Sequence, residues 1–300
     1  MTGVDVRIYE VGPRDGLQAE PMSVPTDSKL RFIELLADAG LREIEATSFV
    51  SPRAIPQLAD ADELMARLER RPGVRYPVLV PNLRGLERAA AAGVDAMCLF
   101  TAVTESYARH NINMGVDESL AAFAPVVAAA RERGWWIRAY VSTAFGCPYE
   151  GEVSEHAVLA LSQRLLALGV DELAISDTLG VAAPADVRRV IGALTAAGVG
   201  TDVVALHLHD TRGTALANVM AGLELGIRAF DASTGGTGGS PYAPGSAGNL
   251  ATEDLVYLLD RQGLRHGADL GGVLTAARFI AESLGRSLDS KVGRAGAWPV

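Results

Sequence analysis

Val203-Val204-Ala205-Leu206-His207-Leu208-His209-Asp210 is a short apolar run that ends in polar residues. A helical pattern from Gly213 to Leu225 follows, then Gly226, then a second apolar run, Ala229-Phe230-Asp231-Ala232-Ser233. This is a complete strand–helix–strand unit. The first run has the length of a strand buried on both faces, and the glycine sits where a helix needs a left-handed cap. Working outward from this unit, the same pattern recurs along the chain. Strands are expected at Arg7–Val11, Glu43–Phe49, Tyr76–Val80, Ala96–Thr101, Trp136–Ser142 and Leu173–Asp177. Helical patterns alternate with them at Thr26–Ala39, Pro56–Leu68, Leu83–Ala92, Glu118–Arg133, Ser154–Leu168, Ala185–Ala197 and Thr252–Arg261, with a polar loop between Thr101 and Glu118. Eight such units in succession predict a closed (β/α)8 TIM barrel of the α/β class, with a doubly wound open sheet as the alternative. The chain reads as a single domain over residues 1–300. The barrel covers about 5–262 and a short C-terminal helical appendage about 263–300, with helical periodicity at Leu270–Leu284.

The composition bounds the function. The chain has 300 residues, 49% hydrophobic and 21% charged, which suits an ordinary globular protein with a large core. Its net charge of −9 is spread out and basic residues occur only in short pairs, so neither nucleic acid nor a membrane surface is expected as a partner. The longest nearly apolar run, Ala121–Ala130, contains Pro125 and is far too short to span a bilayer. The N-terminus enters a strand without a basic-then-apolar leader, and two lone cysteines, Cys98 and Cys147, fit a reducing compartment. A cytoplasmic location is therefore expected.

Barrel enzymes place their chemistry at the C-terminal ends of the strands, and the conspicuous polar residues converge there. Arg14 and Asp15 follow the first strand and Glu45 lies in the second. Asp177 ends the sixth, His207 and His209 lie at the end of the seventh, and a Gly-rich loop leads from the eighth to Asn249. Two residues apart on a strand, His207 and His209 point to the same side, which in a barrel is the lumen. They read either as two hydrogen-bonded histidines in a polar barrel layer or, completed by Asp15, as an imidazole–carboxylate set suited to an octahedral ion such as Mg2+ or Mn2+, with positions left open for a chelating substrate. Arg14 stays protonated at any working pH and is equipped to stabilise a developing oxyanion. Glu45 is expected to pair with Arg14 or to bond the substrate. Asp177 reads as a partner of other site residues or as a base, and Gln18 as a substrate contact or a plain loop residue. Cys147, after the fifth strand, is a candidate substrate contact. The Gly-rich segment from Ser233 to Gly245 lacks the dinucleotide spacing and suits a lid over the barrel mouth.

Several segments together resemble the 3-hydroxy-3-methylglutaryl-CoA lyase family, within a wider group of metal-dependent barrel lyases and synthases that includes isopropylmalate and homocitrate synthases. They are Glu10-Val11-Gly12-Pro13-Arg14-Asp15-Gly16-Leu17-Gln18, Thr47-Ser48-Phe49-Val50-Ser51-Pro52, Tyr76-Pro77-Val78-Leu79, Gly146-Cys147-Pro148-Tyr149-Glu150-Gly151, His207-Leu208-His209-Asp210-Thr211 and Gly248-Asn249-Leu250-Ala251-Thr252-Glu253-Asp254. The resemblance implies retro-Claisen cleavage of an acyl-CoA substrate to acetyl-CoA and acetoacetate. It implies a divalent metal held by Asp15, His207, His209 and Asn249, an enolate steadied by Arg14, and a site shaped by Glu45 and Asp177. A homodimer is expected of such a barrel. The chain departs from the family in two places. Ser240 stands where the family carries a lid cysteine thought to move a proton, and Gln18-Ala19-Glu20 runs into Pro21 where a lysine is common. A serine hydroxyl is far less acidic than a thiol, so a related lyase or condensing enzyme for another 3-hydroxyacyl thioester is the alternative. A non-catalytic barrel is a further alternative.

Overall fold

A computed structural model describes residues 3–239 and 248–298. Nine short parallel strands run in the order β2-β1-β9-β8-β7-β6-β5-β4-β3. They are β1 (Arg7–Glu10), β2 (Glu43–Ile44), β3 (Thr47–Ser48), β4 (Val78–Leu79), β5 (Ala96–Ala102), β6 (Trp136–Ser142), β7 (Glu172–Asp177), β8 (Val204–Leu208) and β9 (Ala229–Ala232). The two ends of this order are one piece of chain. β2 pairs with β1, β3 pairs with β4, and only Glu45 and Ala46 separate them. Glu45 donates its N–H back to Glu10 and Ala46 donates to Pro77, so pairing continues on both sides and the sheet closes into an eight-membered TIM barrel. The open sheet is thereby excluded.

Outward-facing strand residues such as Ile8, Ile44, Leu99, Ile175, Leu206 and Phe230 are fully or almost fully buried beneath the surrounding helices. The helix Ala215–Glu224 lies so close that a side chain at Gly222 would come within 2.7 Å of Leu206. Alternate residues fill the lumen: Tyr9, Val11, Leu79, Cys98, Tyr140 and Ala174 form a separate apolar layer. Below it sits a charged layer. Arg138, with no exposed surface, donates to Glu172 and, through both terminal nitrogens, to Asp231, while Arg7 and Arg75 both pair with Glu43. Buried charges persist only when paired in this way.

Two helical expectations needed correction. The helix expected over Pro56–Leu68 is a 3-10 turn at Pro56–Leu58 followed by α2 (Ala61–Arg67). The Gln57 carbonyl accepts from the buried Lys29 ammonium at 2.5 Å, and Asp60 accepts from Lys29 and Thr26, so this turn bonds to α1 (Thr26–Asp38) in place of propagating. The polar loop expected after β5 contains a helix, Glu105–Ile112, which ends at Asn113 in the left-handed conformation. Only Tyr107 and Ala108 of this helix are buried, which leaves too narrow an apolar stripe to be read as a periodicity. Near the C-terminus, the helix Leu270–Leu284 packs along α1, close enough that a side chain on Gly272 would meet Ala39 at 2.8 Å. Among the described residues no helix is long and apolar enough to cross a membrane.

Candidate active site

The chain leaves β1 through a single π-helical turn, Gly12–Gly16. Pro13 is tolerated because its missing N–H falls in the first turn. The Asp15 and Gly16 N–H groups both donate to the Val11 carbonyl, at 2.8 and 3.1 Å. Gly12 donates to the Glu10 carboxylate at 2.8 Å, and a side chain there would come within 2.6 Å of that oxygen. Glu10 has no exposed surface. It also accepts from the Thr234 N–H at 2.9 Å and from the hydroxyls of Thr234 and Thr252 at 2.7 and 2.6 Å. Burial pushes its carboxyl pKa up against these four donors. Glu10 thus joins the catalytic-face turn, the root of the Gly-rich loop and the start of the helix Thr252–Arg261.

This turn carries Arg14 and Asp15 into the barrel mouth. Arg14 is 3% exposed. It holds Glu45 through Nε at 2.7 Å and Nη2 at 3.0 Å, and donates to Asp15 from Nη1 at 2.7 Å. The Tyr140 hydroxyl also donates to Glu45, and the guanidinium lies 5.0 Å from the Tyr140 ring centre. Burial opposes the positive charge, but Glu45 and Asp15 outweigh it, so Arg14 is held firmly protonated. Burial likewise opposes ionised Asp15, and Arg14, His207, His209 and Asn249 together keep its pKa below the ordinary value. The expected Arg14–Glu45 pair is therefore present, and bidentate.

His207 and His209 rise from the end of β8 beside Asp15, and one ligand atom from each of the three lies within 4.8 Å of the others. Asn249 pairs with His209 through a backbone bridge. Its amide nitrogen donates to Asp15 at 2.8 Å and to the Thr237 carbonyl at 3.0 Å. Its Oδ1 is buried without a hydrogen-bond partner among the described residues, as is His209 Nδ1. Buried polar atoms rarely stay unpaired, so these two lone pairs suit a cation. Burial and the neighbouring His207 lower the His209 pKa to about 3, which keeps the imidazole in the neutral form that a metal requires. The donor set is oxygen and imidazole nitrogen, with no thiolate. The residues present therefore fit a divalent ion of the Mg2+ or Mn2+ kind.

A solvent-connected cavity of about 470 Å3 opens over this group, lined by Arg14, Asp15, Gln18, Asn111, Tyr140 and both histidines, among others. Gln18 donates to Asp15 at 2.9 Å. Asp177 turns away from the cavity and accepts the N–H groups of Val181 and Ala182, each at 3.0 Å. Burial raises its pKa to about 6 in spite of those donors. Cys147 lies outside the cavity lining, with its sulfur under the Thr104 hydroxyl at 3.1 Å. Ser240 falls outside the described residues. Sequence reasoning did not single out Glu10, Arg138 or Asp231, although each is a charge in an apolar strand, the signal that marked Glu45. Tyr140 gave no such signal, and Asn111 was hidden in the supposed loop.

Comparison with known proteins agrees with this geometry. Residues 5–280 match the HMGL-like family. The chain belongs to the HMGL-like family. Within that family it is 46% identical to the cytoplasmic 3-hydroxy-3-methylglutaryl-CoA lyase of Rattus norvegicus over 290 residues, covering 97% of this chain and 84% of the relative. The HMG-CoA lyase crystal structure from Bacillus subtilis superposes with a TM-score of 0.95 at 46% identity, covering 97% of each chain. An HMG-CoA lyase from Acinetobacter baumannii, solved with coenzyme A and 3-methylmalate, superposes with a TM-score of 0.93 at 37% identity over the whole of both chains. Membership of the HMGL-like family accounts for the barrel.

Proposed function

We propose that this protein is a divalent-metal-dependent lyase that cleaves 3-hydroxy-3-methylglutaryl-CoA, or a close analogue, to acetyl-CoA and acetoacetate. The observation that carries the proposal is a permanently charged guanidinium, buried and clamped by Glu45, beside an oxygen–imidazole cation site at the mouth of one cavity. Asp15, His207, His209 and Asn249 would hold a cation of the Mg2+ or Mn2+ kind, which when bound would supply Lewis acidity to the oxygens of the substrate. In the cleavage, the 3-hydroxyl loses its proton and its electron pair becomes the ketone of acetoacetate. The electrons of the C2–C3 bond pass to the thioester as an enolate, and C2 then takes a proton to give acetyl-CoA. Arg14 neutralises the enolate oxygen without competing for that proton. Glu45 and Tyr140 fix the plane of the guanidinium, and Gln18 and Asn249 hold the two oxygens of Asp15. Asp177, with both oxygens engaged by backbone, positions the loop that carries Thr178 to the cavity.

The complex of the Acinetobacter baumannii lyase with coenzyme A supports an acyl-CoA as the small-molecule substrate of this chain. We take the protein to act as a homodimer in the cytoplasm, a location supported by two buried free thiols. The test is a comparison of thioesters. 3-Hydroxy-3-methylglutaryl-CoA and analogues lacking the methyl group or the terminal carboxylate are supplied in parallel, and ketone and acetyl-CoA are measured. Preferred cleavage of the first compound is expected. Cleavage of another thioester in its place would move the assignment to the alternative named above.

A further inference from the structure

His207 presents its two ring nitrogens to quite different neighbours. Nδ1 lies 3.0 Å from Asp231 Oδ2, and Nε2 lies 3.2 Å from His209 Nε2, on the side of the cation site. Asp231 is buried at the base of this arrangement, 2% exposed, and Arg138 grips both of its oxygens, at 2.9 and 2.5 Å. Arg138 is itself anchored by Glu172 at 2.8 Å and lies 3.9 Å from the Tyr9 ring centre. A carboxylate gripped by a guanidinium can only accept, so the proton between Asp231 and His207 sits on Nδ1. In the neutral ring that metal ligation requires, the lone pair is then on Nε2, which faces the cavity.

We propose that Asp231 is a positioning residue for the cation site: it fixes His207 as the Nδ1–H tautomer, while Arg138 fixes Asp231. This rests on the metal-dependent function proposed above. A consequence follows for the second imidazole. Where His207 Nε2 is bare, His209 Nε2 must be the donor in the 3.2 Å contact, which leaves His209 Nδ1 as the lone pair that no described residue satisfies. Cation binding at His207 Nε2 removes the acceptor from that contact. His209 therefore changes partner on loading, whereas His207 keeps its tautomer. The Asp231 carboxylate accounts for that asymmetry.

Imidazole-nitrogen NMR on isotope-labelled wild-type protein, stripped of metal and then titrated with Mg2+, reads this directly. The His207 ring is expected to show Nδ1–H throughout, with the larger change at His209. An Nε2–H tautomer at His207 in the stripped, folded protein would overturn the proposal. Asp231→Ala, checked for folding by circular dichroism, is expected to bind Mn2+ roughly 10–100-fold more weakly by electron paramagnetic resonance titration. Asp231→Glu, which restores an acceptor, is expected to recover part of that loss. Should Asp231→Ala fail to fold, the wild-type tautomer and the Asp231→Glu affinity decide the question. Failure of the wild type to bind either cation overturns the metal-dependent function itself. Normal binding by the wild type with unchanged affinity in folded Asp231→Ala overturns only the positioning role.

Discussion

Replacing Arg14 with methionine separates its electrostatic role in the fold from its role in the reaction. Glu45 has no exposed surface and takes two hydrogen bonds from Arg14, at 2.7 and 3.0 Å, leaving the Tyr140 hydroxyl as the donor that remains. Removing one partner of a buried pair strands the other charge and costs about 3–5 kcal/mol. Adding Glu45→Gln removes the stranded charge and should restore most of the stability. Urea unfolding of the wild type, both single variants and the double variant at pH 7 is expected to give a coupling energy of at least about 2 kcal/mol. Activity should not follow stability. Loss of an oxyanion stabiliser lowers kcat by about 10²–10³-fold, and the refolded double variant should stay at that low level. Additive stability changes would show that Arg14 and Glu45 are not coupled in the fold, and wild-type kcat in Arg14→Met would show that Arg14 does not stabilise the enolate.

Three further outcomes are expected. Asn249→Ala removes a buried oxygen that no described residue satisfies and should raise the Mn2+ dissociation constant at least tenfold in an equilibrium titration, while leaving the far-ultraviolet circular dichroism unchanged. Glu253 is buried beneath the Gly-rich loop, accepts the Gly235 N–H at 2.9 Å, and has its pKa raised by burial from 4.5 to about 7. The folded protein thus holds this proton more tightly than the unfolded chain, and the associated stability is present below pH 4.5 and lost as pH rises through 7. Relative to Glu253→Gln, the wild type should lose on the order of 2–3 kcal/mol across that interval in urea unfolding, and parallel pH profiles would contradict this. Ser240→Cys supplies a group with a pKa of about 8.5, and kcat for acetoacetate release should rise by one to two orders of magnitude if lid proton transfer limits the wild type; an unchanged rate would remove the lid residue from the proton path.

The barrel and much of its mouth were legible because strong local signals coincided with the repeat. The His-x-His spacing on a strand and the Arg14-Asp15 pair after the first strand need only the pleat and the polarity of a barrel to be placed. What escaped reading depended on partners far away in the chain. Glu10 stands out as a charge in an apolar strand, but its role emerges only when Thr234 and Thr252 arrive, 224 and 242 residues later, to satisfy it. Asp231 acquires its role only when Arg138, 93 residues earlier, enters the same layer of the lumen. The helix Glu105–Ile112 shows too little apolar surface for its period to be seen, and its side-chain supports include Glu150, which accepts the Ser106 N–H. The lone pairs of His209 and Asn249 are invisible to any sequence argument, since they are defined by what fails to approach them.

In the proposed function, Asp15, His207, His209 and Asn249 hold a cation without which the Arg14 site cannot cleave its thioester. This requirement is tested most directly by stripping the purified protein with chelator, supplying 3-hydroxy-3-methylglutaryl-CoA, and following acetoacetate before and after addition of Mg2+ or Mn2+. No release from the stripped protein, and restored release on adding either ion, is the expected result. Release that persists undiminished in excess chelator, from protein shown to be metal-free, would contradict the account.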